Sequence, residues 1–302
     1  MEKNSESDRF LASIPPGRQA EQARAVREAI RGNSAELEAI RRSRDIEKPL
    51  IAGVTRRMVR EDLCLYLPES GAARETLVYL HGGCWTFGSI NSCSEFCMAV
   101  AREGVAVLAY AYPLAPENDA QTIVARTGEA VSWAMDHASE WGGSPDAVAI
   151  GGDSAGGNLA LVLCHRLKAA GRRLPGALVL MSPWTDMTMS GASYAERAES
   201  DPMLTPEYIE AVRTAYAGGR DYASPDLSPL FADLTGFPPT LVQAGDHEIL
   251  YSDAEMLCHA LERAGIPCRF EVSEGMWHVF QMFPLRKAAA AMESVARFLL
   301  ER

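Results

Sequence analysis

No stretch of this chain approaches the ~20 consecutive apolar residues that a membrane-spanning helix requires. Its longest apolar runs are of strand length and end in glycine or proline. Residues 1–10, MEKNSESDRF, lack the apolar run of a signal peptide, so a cytoplasmic location is expected. Positive charge is scarce: 29 Lys and Arg stand against 40 Asp and Glu, a formal net charge of −11. Such a surface repels phosphate backbones and anionic bilayers, which argues against nucleic acid or membrane partners. The 7 cysteines are odd in number and form no disulfide framework. Cys93 and Cys97 share a helix face, but no second pair of Cys or His sits nearby at ligand spacing. Free, mostly buried thiols are therefore expected and a metal site is not. Internal repeats and low-complexity tracts are also missing.

What the chain does have is apolar material, 47% of 302 residues, enough for one large core. Residues 1–50 are rich in Ala, Glu, Arg and Gln at helical spacing. Ile14-Pro15-Pro16-Gly17 separates a first short helix from a second over 18–31. Asn33-Ser34 offers an N-cap to a third, with Glu36 and Glu38 in its first turn. This segment is amphipathic and should cover something. Over 51–302 the rhythm changes. Apolar runs at 77–80, 105–110, 147–150, 177–181 and 239–243 alternate with helical patterns near 91–103, 119–139, 156–170, 251–264 and 285–301. Such strands imply an α/β fold whose mostly parallel central sheet is buried on both faces, with right-handed crossovers. The more polar 54–67 region is expected to form antiparallel edge strands. Residues 185–236 interrupt the alternation and read as a lid insertion, with helix starts at Ser200-Asp201-Pro202 and Leu204-Thr205-Pro206.

The strongest chemical signal is Gly152-Asp153-Ser154-Ala155-Gly156, continued by Gly157-Asn158. It follows an apolar strand and precedes the helix-forming Leu159-Ala160-Leu161-Val162-Leu163. A G-x-S-x-G in that setting is a nucleophile elbow: a tight, strained turn lifts the Ser154 hydroxyl above the sheet, and the following helix N-terminus favours developing negative charge. The strand over 77–80 runs into His81-Gly82-Gly83-Cys84-Trp85. Backbone N–H groups of such a loop can hold a carbonyl oxygen that becomes negative in the transition state, and the N–H of Ala155 completes the hole.

His-Gly-Gly followed by Gly-Asp-Ser-Ala-Gly-Gly-Asn resembles the hormone-sensitive lipase family of α/β-hydrolase esterases. Tyr112-Pro113-Leu114-Ala115-Pro116-Glu117 is similar to that family's Tyr-Arg-Leu-Ala-Pro-Glu. The resemblance runs from about 54 to the C-terminus, and the N-terminal helices resemble the family's helical cap in position and character. It departs at Cys84, where the family usually has a third glycine, and at Pro113, where it usually has arginine. It implies that His81 orients its loop and that Met276-Trp277-His278-Val279-Phe280 carries the catalytic base, His278. The chain order nucleophile, acid, histidine agrees with this fold.

Two carboxylates compete for the acid, since Asp246 and Glu248 both follow the strand over 239–243. Aligning Glu248-Ile249-Leu250 on the family's Asp-Pro-Leu favours Glu248, leaves Asp246 as the alternative, and makes Asp253 structural. The oxyanion hole is then Gly83, Cys84 and Ala155, with Gly82 shaping the loop. Trp85, Phe87 and Trp184 either wall the substrate pocket or pack the cap on the sheet. The implied activity is hydrolysis of short-chain esters of small molecules by a serine carboxylesterase, with neither metal nor organic cofactor. A deacetylase of acetylated sugars or other natural products, and a small-molecule-binding relative without catalysis, are the alternatives. A homodimer is implied by resemblance alone.

Overall fold

A strand made wholly of apolar residues has two faces to bury, and the chain meets that demand with helices on both sides of one eight-stranded sheet. The computed structural model describes residues 6–302. Its strands are β1 (Val54–Arg60), β2 (Leu63–Pro68), β3 (Thr76–Leu80), β4 (Ala106–Tyr110), β5 (Val148–Asp153), β6 (Leu178–Met181), β7 (Thr240–Gly245) and β8 (Cys268–Ser273). Their order is β1-β2-β4-β3-β5-β6-β7-β8. The pairs β1–β2 and β2–β4 are antiparallel, and the rest of the sheet is parallel.

Alternation along each central strand divides the core. Val78, Leu80, Ile150 and Leu180 face one side, which also holds apolar residues of α5 (Ala120–His137), α6 (Ala155–Ala169) and α9 (Tyr251–Arg263). Leu77, Tyr79, Ala149 and Val179 face the other, which also holds those of α4 (Ile90–Arg102) and α10 (Arg286–Leu300). Local chemistry starts two of these helices. Ser89 and Ser92 form a capping box on α4, and Asp119 accepts from Thr122 N–H at 2.8 Å to start α5.

Near the N-terminus lie α1 (Glu6–Leu11), α2 (Arg18–Ile30) and α3 (Ala35–Arg44). Ser34 occupies the N-cap of α3 but makes no capping bond, because its backbone is already helical (φ −85°, ψ −7°) and the side chain cannot reach back. The insertion after β6 contributes α7 (Ser193–Glu196) and α8 (Pro206–Ala217). Thr205 caps α8 and Pro206 opens it, as Leu204-Thr205-Pro206 predicts. Ser200-Asp201-Pro202 starts no helix; instead the Asp201 carboxylate closes a turn by accepting from Met203 and Leu204 N–H at 2.8 and 3.1 Å.

α2 packs on α8, with Arg27–Glu207 paired at 2.7 Å and Gln22 donating to the Tyr208 hydroxyl at 3.4 Å. Among the described residues no helix is long and apolar enough to cross a membrane.

In chain order the strands run one way from β3 to β4 and then return across β3 to β5. The carboxyl ends of β3 and β5 therefore flank the point where the winding reverses, and their loops diverge to leave a crevice.

Candidate active site

Ser154 stands at the end of β5 with φ 53° and ψ −114°, the strained geometry of a sharp strand-to-helix turn. The turn is possible because Gly156 lets α6 come against β3: a Cβ there would lie 1.8 Å from the Leu80 carbonyl oxygen. The Ser154 hydroxyl is buried and makes no hydrogen bond among the described residues. It borders a cavity of about 400 Å³ shared with Gly83, Cys84, Phe87, Tyr208 and His278, a volume suited to a small organic molecule.

His278 is buried in the loop after β8, and its Nδ1 lies 3.0 Å from Glu248 Oε2. The other oxygen, Oε1, accepts from Gly245 N–H at 3.1 Å, so both carboxylate oxygens of this fully buried side chain are occupied. Burial opposes charge on the imidazole. The hydrogen bond and charge of Glu248, with Asp201 and Asp153 behind it, outweigh that penalty and hold His278 above its ordinary value. Asp246 points elsewhere, accepting from Gly275 N–H at 2.6 Å. Asp253 is also elsewhere: it accepts from Thr185 and Asp186 N–H at 2.7 and 2.8 Å, and burial pushes its carboxyl up to about 7.

The loop after β3 is folded by its glycines and by Asp153. Gly82 N–H donates to Asp153 Oδ1 at 2.8 Å, which the Tyr79 hydroxyl also meets at 2.6 Å. Gly83 has φ 107° and would bring a Cβ within 2.5 Å of Phe87 O. Among the described residues the N–H groups of Gly83, Cys84 and Ala155 make no hydrogen bond, while that of Gly82 is spent. Cys84 is buried with φ 54°, and burial pushes its thiol up to about 12, so it is protonated and a poor nucleophile at neutral pH.

His81 stacks on Tyr112 at 4.1 Å, and its Nδ1 lies 2.8 Å from Gly82 O; burial pulls it down to about 4, which keeps it neutral. The Tyr112 hydroxyl donates to His81 O at 2.7 Å. Where Pro113 leaves no arginine, Arg41 of α3 braces the neighbouring segment: it donates to Ala115 O at 2.7 Å and Thr86 O at 2.8 Å and pairs with Glu117 at 2.8 Å.

The three aromatic candidates separate. Phe87 lies on the cavity wall. Trp85 and Trp184 do not: both are fully buried, 5.2 Å apart, and Trp85 stacks on Tyr216 of α8 at 4.0 Å. They pack the insertion on the sheet, the second of the two roles the sequence left open. Asn158 of α6 ties down that insertion from both ends, donating to Trp184 O at 2.9 Å and Leu227 O at 2.8 Å.

Several residues escaped sequence reasoning. Asp201, besides its own turn, accepts from Ile249 N–H at 2.9 Å and so joins the insertion to the Glu248 loop. The Ser182 hydroxyl accepts from Val279 N–H at 3.1 Å and restrains a β-branched residue at φ 51° beside His278. Tyr208 completes the cavity from α8. A lone Asp-Pro or Ser-Pro signals only a turn, and these partners are far away in sequence.

Residues 77–282 match a family of proteins with the α/β-hydrolase fold. An acetyl-hydrolase of Streptomyces hygroscopicus is 36% identical over 227 residues, covering 74% of this chain and 75% of that protein. An esterase of Acinetobacter venetianus is 34% identical over 231 residues, 75% of each. A solved esterase of the bacterial hormone-sensitive lipase family superposes with TM-score 0.78 at 31% identity, covering 95% of this chain and 98% of that one.

Proposed function

The chain belongs to the α/β-hydrolase fold family, in its hormone-sensitive lipase group, and from that premise we propose that it is a serine carboxylesterase of short-chain esters. Ser154 is the nucleophile, His278 the base and Glu248 the acid. One observation carries this reading: the unpartnered Ser154 hydroxyl and His278, which is backed by the buried Glu248, border one cavity at the carboxyl edge of the sheet.

Ser154 Oγ attacks the ester carbonyl carbon while its proton passes to His278 Nε2. Glu248 holds Nδ1 protonated, which leaves Nε2 free to accept, and its charge stabilises the imidazolium that forms. The carbonyl oxygen becomes negative against the N–H groups of Gly83, Cys84 and Ala155, each such donor being worth roughly 3 kcal/mol in the transition state. Gly82, already bonded to Asp153, shapes the loop. The C–O bond then breaks and the alcohol leaves with the proton from His278. Water, deprotonated by the same imidazole, attacks the acyl-enzyme and returns Ser154 to its hydroxyl form.

Helices α1 to α3 and the 185–236 insertion act as the cap over this site. The small cavity supports short acyl groups, and the likeness to a protein named an acetyl-hydrolase favours acetyl esters of small natural products as a second reading.

Hydrolysis of p-nitrophenyl esters from acetate to decanoate tests the proposal with wild type, Ser154→Ala and Glu248→Ala. Preference for the short esters, abolition by Ser154→Ala and a loss of about 10⁴-fold in kcat for Glu248→Ala are expected. Equal, weak turnover by wild type and Ser154→Ala would overturn it in favour of a binding role.

A further inference from the structure

The mouth of the cavity carries charge of the opposite sign to the molecule. Arg18, Arg41, Arg42 and Arg44, all from α2 and α3, border it, in a chain whose net charge is −11. Two of these guanidiniums are engaged: Arg41 on Glu117 and two carbonyls, Arg42 on Glu38 at 3.4 Å. The other two, Arg18 and Arg44, form no ion pair with any described residue, although both are half-buried. Asp45 also borders the mouth, its Oδ1 accepting from Ser89 Oγ at 2.6 Å and Asn91 Nδ2 at 2.9 Å, so that four arginines stand there against one carboxylate. Arg44 lies over the Phe87 ring, 5.2 Å from its centroid, and Phe87 lines the same cavity as Ser154.

We propose that Arg18 and Arg44 form an anion subsite, and that the ester this site takes carries a carboxylate at the end remote from the scissile bond. This rests on the esterase reading and narrows its substrate class. A guanidinium presents paired N–H donors that match a carboxylate, and desolvation at a cavity mouth strengthens the contact. The protein leaves a need for such a partner. Burial and then the neighbouring charge of Arg18 both weigh against the charged form of Arg44 and hold it below its ordinary value, with only the exposed Glu21 acting from a carboxylate in the other direction. An anion set between the two cations relieves both effects. The apolar Phe87, which lies under Arg44 and lines the cavity that Ser154 borders, suits the methylene spacer of a dicarboxylic half-ester.

The test compares kcat/KM for p-nitrophenyl half-esters of succinate, glutarate and adipate with that for the corresponding methyl-capped neutral esters. Wild type is expected to prefer the anionic member at one or more lengths, and added NaCl is expected to shrink that ratio. Arg44→Gln and Arg18→Gln should each cut the ratio about tenfold, with Arg44→Lys restoring part of it. A ratio at or below one at every length, or one indifferent to all three substitutions, overturns the proposal while turnover of the neutral esters upholds the esterase. Should no ester turn over, calorimetric titration of glutarate into wild type and Arg44→Gln reads the subsite without chemistry. Binding weakened in the variant sustains the proposal; equal or absent binding overturns it.

Discussion

The Glu248 carboxylate has no exposed surface, so little solvent screens its action on His278. Its effect should be visible in pH. A general base must be neutral, and Glu248 favours the protonated imidazole, so the acid limb of kcat/KM should fall above the ordinary histidine value of about 6.5. Glu248→Gln keeps the shape and removes the charge; a pH–rate profile should show that limb displaced to lower pH as well as a loss in kcat. The same linkage bears on stability. A histidine raised by folding contributes stability that is complete below about 6.5 and is lost as pH rises through the folded value. Asp246→Ala separates the two acidic candidates: it frees Gly275 N–H without touching His278, and a loss in kcat below about tenfold is expected. Local pattern made much of this legible. Ser154 announces itself because strand, turn and helix are adjacent in sequence. Choosing Glu248 over Asp246 from residues alone needed an alignment, since two residues' difference along a loop decides which carboxylate turns inward.

At the scale of elements, the insertion is fastened at points that hydrophobic pattern does not reveal. Asn158 reaches Trp184 and Leu227, 26 and 69 residues away in sequence. Asn158→Ala leaves two buried carbonyls without a donor, and chemical denaturation should show a loss of about 2–4 kcal/mol. Asp201 spans 48 residues to Ile249. Burial raises its carboxyl to about 6 against the pull of His278 and its backbone donors, so it is mostly ionised at neutral pH and gains its proton as the pH falls through that value. Asp201→Asn retains an acceptor, whereas Asp201→Ala drops the link altogether. The alanine variant should lose more kcat than the asparagine variant, because the Glu248 loop is then held from one side only. The strands were readable because continuous apolar runs can be buried only between layers. Trp85 and Trp184 were not, because an indole in a glycine-rich loop fits a pocket wall and a packing role equally until the surroundings are known.

Across the whole molecule the N-terminal helices reach the far side of the site. Phe10 of α1 stacks on Trp277, ring centroids 5.6 Å apart, next to His278, and packs against Phe283 at 4.4 Å. Phe10→Ala should therefore lower both the melting temperature and kcat although it lies 268 residues from His278 in sequence, and a thermal scan alongside ester turnover would check this. The amphipathic pattern of residues 1–50 indicated that these helices cover something; what they cover depended on a partner surface made by the opposite end of the chain.

Trp85 stacks within 7° of parallel on Tyr216, so the loop that would receive the oxyanion and the helix above it share one rigid joint. With Asn158 and Asp201 clamping the same insertion, a swing of α8 away from the cavity would have to break these contacts together. Side-chain movement at the mouth is the faster route, since an exposed arginine such as Arg42 changes rotamer in picoseconds to nanoseconds. On the proposed esterase reading, turnover should then be insensitive to solvent viscosity, and a clamped insertion would favour small esters over bulky ones.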